Sequence, residues 1–198
     1  MSWLITLWLL VFSACSVSSP TEPVCEPTRN PMQGEPRILC VGDSINNSPP
    51  GYYTFLSRKS RMVFISGGQA WQLDDAIASF VVDGDTHVVV LIGILDVLSP
   101  QYCNPPRDCR TAEHLASVCS KIESLGAKPL VATMLPLNPG GAFSHVSLEG
   151  LNDEIRGLGY TVVDFSALGV TSQDFYDNIH PLPALQARMA AVVDSTVR

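Results

Sequence analysis

The chain has 198 residues, of which 46% are hydrophobic and 16% are charged, and its formal net charge at pH 7 is −7. This acidic balance and the lack of a basic cluster argue against a nucleic-acid partner. The composition is that of a globular protein. The part that follows the N-terminal apolar run is long enough to form one domain with a sizeable hydrophobic core.

The N-terminal residues have the pattern of an export signal. Residues 1–14 carry no charge and are mostly apolar from Trp3 to Phe12. This run is short for a membrane span and has the length of a signal-peptide core. It ends in the residues FSAC, which resemble a bacterial lipobox with Cys15 as the residue that receives lipid. We therefore predict export to the bacterial cell envelope with a lipid anchor at Cys15. Signal cleavage without lipidation, which would release a secreted protein, is the alternative.

A polar segment follows the signal. Residues 15–35 are rich in serine, threonine and proline, and they contain four of the fifteen prolines of the chain. Such a composition disfavours regular structure. We predict a flexible tether over residues 15–35 and a single folded domain over residues 36–198.

Within this domain, strand-like runs alternate with helical patterns. Apolar runs predict five strands, at residues 38–41, 62–66, 87–92, 129–134 and 160–165. Apolar residues at steps of three and four predict helices at residues 70–82, 112–125, 146–158 and 183–196. This alternation predicts a three-layer α/β/α sandwich with a mainly parallel, five-stranded sheet of the flavodoxin-like kind.

A candidate nucleophile lies directly after the first predicted strand. The strand stops at Gly42 and is followed by Asp43 and Ser44. In open α/β sheets, ligands bind beyond the carboxyl ends of the strands, so Ser44 is at a position suited to chemistry. The same three residues also suit an ordinary turn at a strand end, with the acid as a cap.

A candidate base lies near the C-terminus, just before the last predicted helix. Asp177 and His180 are three residues apart, a spacing that lets the carboxylate hold one imidazole nitrogen while the other stays free as a base. Serine needs such a base because its hydroxyl is a weak nucleophile until a neighbour takes its proton. A histidine that caps the helix or lies on the surface is the alternative.

Together these motifs resemble the four sequence blocks of the SGNH, or GDSL-type, esterases and lipases. The blocks are residues 42–44, a glycine after the second strand (Gly67 or Gly68), residues 93–96, and residues 177–180. The resemblance covers about residues 36–198. It implies a serine hydrolase of ester bonds in which Ser44 is the nucleophile, His180 the general base and acid, and Asp177 the group that orients His180.

The resemblance also implies an oxyanion hole formed by the backbone amides of Ser44 and a second-block glycine, with an asparagine side chain from the third block. We favour Gly67 over Gly68 from its spacing, and glycine suits a backbone that approaches the substrate closely. A turn between strand and helix is the alternative. The third block departs from the family, because Leu95 stands where the asparagine is usual.

Leu95 cannot donate a hydrogen bond, so another donor has to replace the missing one. Asn46, Asn47 and Gln69 lie in loops near the same edge of the sheet, and we predict that Asn47 is the substitute. Asp96 keeps the acid of the third block. We predict that Asp43 and Asp96 orient loops and cap helices rather than react.

The six cysteines suit an exported protein. Cys103 and Cys109 flank a short polar loop, and we predict a disulfide bond between them. Cys40 is expected to be a small buried residue, whereas Cys119 is either buried or paired with Cys103 or Cys109. The cysteines lack the close spacing with histidines that a zinc site needs, so we predict no metal site and no cofactor.

The substrate class is the least determined feature. No long apolar lid is evident, which favours short acyl groups, and an O-acetyl ester of a carbohydrate is the preferred class. Esters of lipids, other small-molecule esters and thioesters remain open. Leu95 supports an alternative in which the protein is a catalytically silent binding module, and an acyltransferase would use the same residues. A monomer is expected.

Overall fold

A computed structural model of the chain describes residues 24–25, 37–82, 84–100 and 109–197, with only the backbone given for residues 24–25. The predicted signal peptide, the lipidation site at Cys15 and most of the predicted tether lie outside the described residues. Cys103 does as well. Within the described parts of the chain, no helix is long and apolar enough to cross a membrane.

Among the described residues, the sheet has six strands. In chain order they are β1 (Val24–Cys25), β2 (Arg37–Gly42), β3 (Ser60–Phe64), β4 (Asp85–Leu91), β5 (Lys128–Ala132) and β6 (Thr161–Val163). The spatial order is β1-β3-β2-β4-β5-β6, and every pair is parallel except β1 with β3. The predicted five-stranded parallel sheet is confirmed. The short antiparallel strand β1 adds to it and lies within the segment predicted as a tether.

The centre of the sheet is buried on both faces. Val41 of β2 pairs with Val63 of β3 and Val90 of β4. Residues 38–41 and 88–90 have no exposed surface. A parallel strand covered on both sides needs a continuous apolar run rather than an alternating one, which is why the sequence pattern identifies these strands.

In the described parts of the chain, five α-helices cover the sheet. They are α1 (Ala70–Phe80), α2 (Ile94–Leu98), α3 (Thr111–Ser124), α4 (Glu149–Gly157) and α5 (Pro183–Thr196). Neighbouring helices α1, α3 and α4 pack together, while α5 packs against the 3-10 helix Tyr52–Phe55 and β6. The buried residues of α1 and α3 recur at steps of three and four, as predicted. The sheet and these two groups of helices form the predicted three-layer sandwich.

The short helix α2 was not predicted. The apolar run of the predicted third strand, residues 87–92, is followed directly by Gly93, whose φ of +129° ends the extended backbone. This φ is one that residues other than glycine rarely adopt. The chain therefore turns from β4 into α2 directly above the sheet.

The order of the parallel strands places a crevice between β2 and β4. Counted without β1, the order is second, first, third, fourth, fifth, which is the flavodoxin-like arrangement. From β2 the chain continues to β3 on one side, and from β4 it continues to β5 on the other side. In open α/β sheets, ligands bind in the crevice between two such strands. Ser44 follows β2 and therefore lies at this crevice.

Gly42 allows the end of β2 to approach its neighbours. A Cβ atom at this position would overlap the carbonyl oxygen of Leu91 and the side-chain nitrogen of Asn46. By contrast, a Cβ added at Gly157, at the end of α4, would meet no atom within 4 Å.

We expect Gly42→Ala to lower the free energy of unfolding by at least about 1–3 kcal/mol, because the added methyl group has no space between β2 and β4. Gly157→Ala is the control and should raise it by about 0.4–1 kcal/mol. Urea denaturation measures both. A Gly42→Ala protein as stable as the wild type would contradict the predicted overlap.

Candidate active site

Ser44 begins a 3-10 helix, Ser44–Asn47, that follows β2 directly. The preceding Asp43 caps this helix, because its Oδ1 atom accepts a hydrogen bond of 2.9 Å from the backbone N–H of Ile45. Asn46 is completely buried. Its Nδ2 atom donates to the carbonyl oxygen of Leu91 at 2.9 Å, and its Oδ1 atom accepts from the hydroxyl of Tyr52 at 2.9 Å. The turn that carries Ser44 is therefore fixed to the end of β4.

The structure brings Ser44, His180 and Asp177 into one chain of hydrogen bonds. The Nε2 atom of His180 lies 2.9 Å from the Oγ atom of Ser44. Its Nδ1 atom lies 2.7 Å from Oδ2 of Asp177. An ionised carboxylate can only accept, so Nδ1 carries the proton and Nε2 is left to accept from the serine hydroxyl. This arrangement can activate a serine for attack on a carbonyl carbon.

Asp177 is held in place by its own turn. Its Oδ1 atom accepts hydrogen bonds of 2.8 Å from the backbone N–H groups of Ile179 and His180. Partial burial acts to raise the pKa of Asp177, but these two amides and the bond to the imidazole prevail, and the pKa is below its ordinary value. The carboxylate therefore stays charged, and its side chain is 39% exposed.

Tyr176 is a contact of the site that the sequence analysis missed. Its ring stacks on the imidazole of His180, with the ring centroids 5.4 Å apart and the planes inclined by 11°. Tyr176 is 56% exposed, so part of its ring faces solvent next to His180. The only signal in the sequence is its position directly before Asp177.

The predicted oxyanion region lies where β2 and β3 end together. The backbone N–H of Ile65 donates to the carbonyl oxygen of Gly42 at 2.8 Å, which brings the end of β3 beside the turn of Ser44. Gly67 follows with a φ of +64°. Within the described parts of the chain, the backbone N–H groups of Ser44 and Gly67 donate no hydrogen bond, so both are available to a ligand.

The two second-block glycines have different surroundings. A Cβ at Gly68 would lie 2.8 Å from the backbone oxygen of Ile65, whereas a Cβ at Gly67 would meet only Leu95 Cδ1, at 4.0 Å. Gly68 is therefore required by packing. Gly67 is exposed and lies beside Leu95, the residue that replaces the family asparagine.

Two of the three proposed substitutes for that asparagine are engaged elsewhere. Asn46 uses its amide to hold Leu91 and Tyr52. Gln69 forms a capping box with Gln72 at the start of α1, and its side chain also bonds to Asp96. Asn47 is half-buried, and its side chain makes no hydrogen bond to the described residues.

Asp96 is a structural acid in this geometry. Its carboxylate accepts hydrogen bonds from the hydroxyl of Thr111 at 2.7 Å and from the backbone N–H of Ala70 at 3.3 Å. Ala70 is the first residue of α1. Burial raises the pKa of Asp96, and these bonds partly oppose the rise. Asp96 thus joins α2 to the start of α1, and so to the loop that contains Gly67.

The described cysteines separate into two groups. Cys40 and Cys119 are free and buried, and burial raises the pKa of each thiol to about 12. Cys109 is disulfide-bonded. The pairing of Cys103 with Cys109 stays a prediction. In the described residues, no cluster of histidine, cysteine and acidic side chains is arranged to hold a metal ion.

Asp43 is buried beside the nucleophile, with its Oδ2 atom unpaired. Burial raises the pKa of this carboxyl from its ordinary value of 3.8 to about 7; the hydrogen bond from Ile45 opposes the rise, and the charge of Asp96 adds to it. The folded protein therefore holds this proton more tightly than the unfolded chain does.

It follows that Asp43 lowers the stability of the folded state as the pH rises from about 4 through about 7. We expect the free energy of unfolding of the wild type to fall over this range relative to that of Asp43→Asn. The relative fall is at most about 4 kcal/mol, since one pKa unit corresponds to about 1.4 kcal/mol. Urea denaturation at a series of pH values measures it, and parallel curves for the two proteins would contradict the raised pKa.

Comparisons with known proteins agree with this architecture. No protein-family model matches the sequence, and no curated protein matches it significantly. The structure is similar to that of an acetyl xylan esterase, with a TM-score of 0.68 and 16% identity over 82% of this chain and 100% of the esterase. It is also similar to a GDSL-like lipase from Bacteroides thetaiotaomicron, with a TM-score of 0.67 and 17% identity over 83% of this chain and 89% of the lipase.

A third similar structure is a variant of an acetyl-xylooligosaccharide esterase from Geobacillus, with a TM-score of 0.60 and 18% identity over 82% of this chain and 94% of that protein. These similarities extend over nearly all of the described domain. The identities are low, so the likeness is one of fold. The chain therefore has the three-layer α/β fold of the SGNH, or GDSL-type, hydrolases.

Proposed function

We propose that the protein is a serine esterase of the SGNH type. The observation that carries this proposal is the continuous chain of hydrogen bonds from Ser44 through His180 to Asp177, located at the crevice between β2 and β4. Residues 136 positions apart in the sequence meet there. The similarity in fold to esterases and lipases supports the same reaction class.

In this proposal His180 acts first as base and then as acid. Its Nε2 atom takes the proton of Ser44 as Oγ attacks the ester carbonyl carbon, and then gives that proton to the leaving alcohol. The acyl group stays on Ser44 as an ester. His180 then takes a proton from a water molecule as its oxygen attacks this ester, and returns that proton to Oγ of Ser44 as the carboxylic acid is released. Asp177 holds the imidazole in the required tautomer and stabilises its positive form.

The amides of Ser44 and Gly67 would stabilise the negative charge that develops on the carbonyl oxygen. Since Leu95 lacks a donor, the third donor in this proposal is the side chain of Asn47. Its support is that Asn46 and Gln69 are engaged in other bonds, whereas Asn47 is not bonded to the described residues.

For the substrate we propose a short acyl ester, with an O-acetylated carbohydrate as the preferred class. The carboxylate of Asp177 is partly exposed, and the neighbouring Tyr176 presents an open aromatic surface. Aromatic surfaces of this kind suit stacking against a sugar ring. Two of the similar structures are described as esterases of acetylated xylan or xylooligosaccharides.

Two alternatives use the same geometry. An acyltransferase would pass the acyl group from Ser44 to an acceptor other than water. A binding module that has lost catalysis is favoured only by Leu95. We further propose that the protein is exported and tethered to the cell envelope through Cys15, and that it acts as a monomer.

Hydrolysis of p-nitrophenyl acetate, butyrate and octanoate by the purified protein tests the esterase proposal. We expect the acetate to be the best substrate, because a short acyl group needs only a shallow site. Ser44→Ala and His180→Ala should each lower kcat by about 10⁴-fold or more. If the wild type and both variants are folded but equally inactive, the esterase proposal is wrong. A binding module or an acyltransferase is then favoured.

The role of Asn47 is tested with two substitutions. Asn47→Ala should lower kcat by about 10²-fold, because one oxyanion donor is lost. Leu95→Asn restores the family's donor, so it should change the wild-type rate little but recover activity in the Asn47→Ala background. Full turnover in Asn47→Ala, with Ser44 intact, would contradict this role. Loss without recovery in the double variant would point to a structural role for Asn47.

A further inference from the structure

The loop between β5 and α4, residues 133–148, is longer than most connections in compact domains. Its central residues read PLNPGG, a run of turn-forming residues. Such loops are commonly functional, and this one lies at the carboxyl end of β5, the same edge of the sheet as Ser44. The sequence alone favours a role in contacting the substrate.

The contacts of the loop indicate a different role. The Nδ2 atom of Asn138 donates a hydrogen bond of 2.7 Å to the carbonyl oxygen of Asp177. The backbone N–H of Asn138 donates to the carbonyl oxygen of Asn178 at 3.2 Å. From the other side, Oδ1 of Asn178 accepts from the backbone N–H of Ala142 at 2.8 Å. Three hydrogen bonds thus join the loop to the first two residues of the Asp177–His180 turn.

Asn138 is itself fixed in the orientation that these bonds need. Its Oδ1 atom accepts from the backbone N–H of Gly140 at 2.9 Å, and its carbonyl oxygen accepts from that of Gly141 at 2.9 Å. With Oδ1 held by Gly140, the Nδ2 group of the planar amide is directed to Asp177.

The two glycines permit this close approach. A Cβ at Gly141 would lie 2.7 Å from Oδ1 of Asn178 and 3.2 Å from its Cα atom. A Cβ at Gly140 would lie 2.6 Å from Oγ of Ser172, in the short helix Ser172–Asp174 that precedes Tyr176. Side chains at either position would push the loop away from the turn.

The Asp177–His180 turn needs such support. It lies outside any regular helix or strand, and both members of the acid–base pair are partly exposed. The carboxylate orients the imidazole, so a shift of the Asp177 backbone is passed on to Nε2 and its distance from Ser44. A displacement of about 1 Å at a catalytic group can reduce the rate about 10²-fold.

We propose that Asn138 is a positioning residue for the acid–base pair, and that the loop of residues 136–142 clamps the Asp177–His180 turn against the domain. The proposal rests on the esterase function proposed above. In this proposal Asn138 acts through Asp177 and contacts neither Ser44 nor the ester carbonyl group of the substrate.

The test compares Asn138→Ala, Asn138→Asp and Gly141→Ala in the full chain, with p-nitrophenyl acetate as substrate. Asn138→Ala should lower kcat by roughly 10- to 100-fold with little change in KM, because positioning rather than binding is affected. Gly141→Ala should act in the same direction. Asn138→Asp keeps the acceptor for Gly140 but loses the donor to Asp177, so it should recover none of the activity.

Asp194→Ala is the matched control. Its Oδ2 atom accepts a hydrogen bond of 2.9 Å from the backbone N–H of Ser57, so this variant also loses one exposed bond between a side chain and a distant backbone. It lies near the far end of α5 and should keep the wild-type kcat. A wild-type kcat in Asn138→Ala, or restored activity in Asn138→Asp, would overturn the proposal.

A second readout separates this proposal from the esterase function. The proton between Nδ1 of His180 and Asp177 gives a downfield NMR resonance when the bond is held. We expect this resonance in the wild type and in Asp194→Ala, and its loss or shift in Asn138→Ala. If the wild type hydrolyses no ester, the esterase proposal fails, while this resonance still decides the clamp. An unchanged resonance in Asn138→Ala overturns the clamp whatever the activity.

Discussion

The hydrogen bond from Nδ2 of Asn46 to the carbonyl oxygen of Leu91 is the contact on which the site depends. It joins the turn after β2 to the end of β4, and these are the two strands that border the crevice. The bond forms because Gly42 has no side chain to separate them. Asn46 is fully buried, so its loss would remove one hydrogen-bond partner from the carbonyl group of Leu91 and one from the Tyr52 hydroxyl. The turn that carries Ser44 is therefore held rigidly.

The other half of the site is built differently. Asp177 and His180 lie in an exposed turn, and their geometry comes from short-range hydrogen bonds within the turn and from the long loop after β5. Tyr176 covers one face of the imidazole. Ser44 on its rigid turn and His180 on surface loops meet in one hydrogen bond of 2.9 Å. Small changes in those loops can thus alter this hydrogen bond without unfolding the core.

The third sequence block, residues 93–96, keeps the acid of the family motif at Asp96 but has Leu95 in place of its asparagine donor. Asp96 is engaged with Thr111 and the start of α1, so its loss would leave a helix terminus and a buried hydroxyl without partners. The side chain of Leu95 has no polar atom and so makes no hydrogen bond to another part of the fold. An acid that holds the structure is retained here, whereas the neighbouring donor is replaced. An exchange of donors within the crevice would therefore leave the fold intact.

The sequence by itself determined the parallel sheet, the faces of α1 and α3, and the pairing of a serine with an Asp-x-x-His segment. The sheet and the helix faces follow from local periodicity, since a strand buried on both faces must be apolar and an amphipathic helix must repeat its apolar residues. The pairing of the serine with the Asp-x-x-His segment was implied by the resemblance of these motifs to those of the SGNH hydrolases. The tertiary structure alone decided which of Asn46, Asn47 and Gln69 is free, that Tyr176 covers His180, and that Asn138 holds Asp177. Each of these depends on partners far apart along the chain, and the side-chain pattern around a residue does not specify which distant atom it will meet after folding.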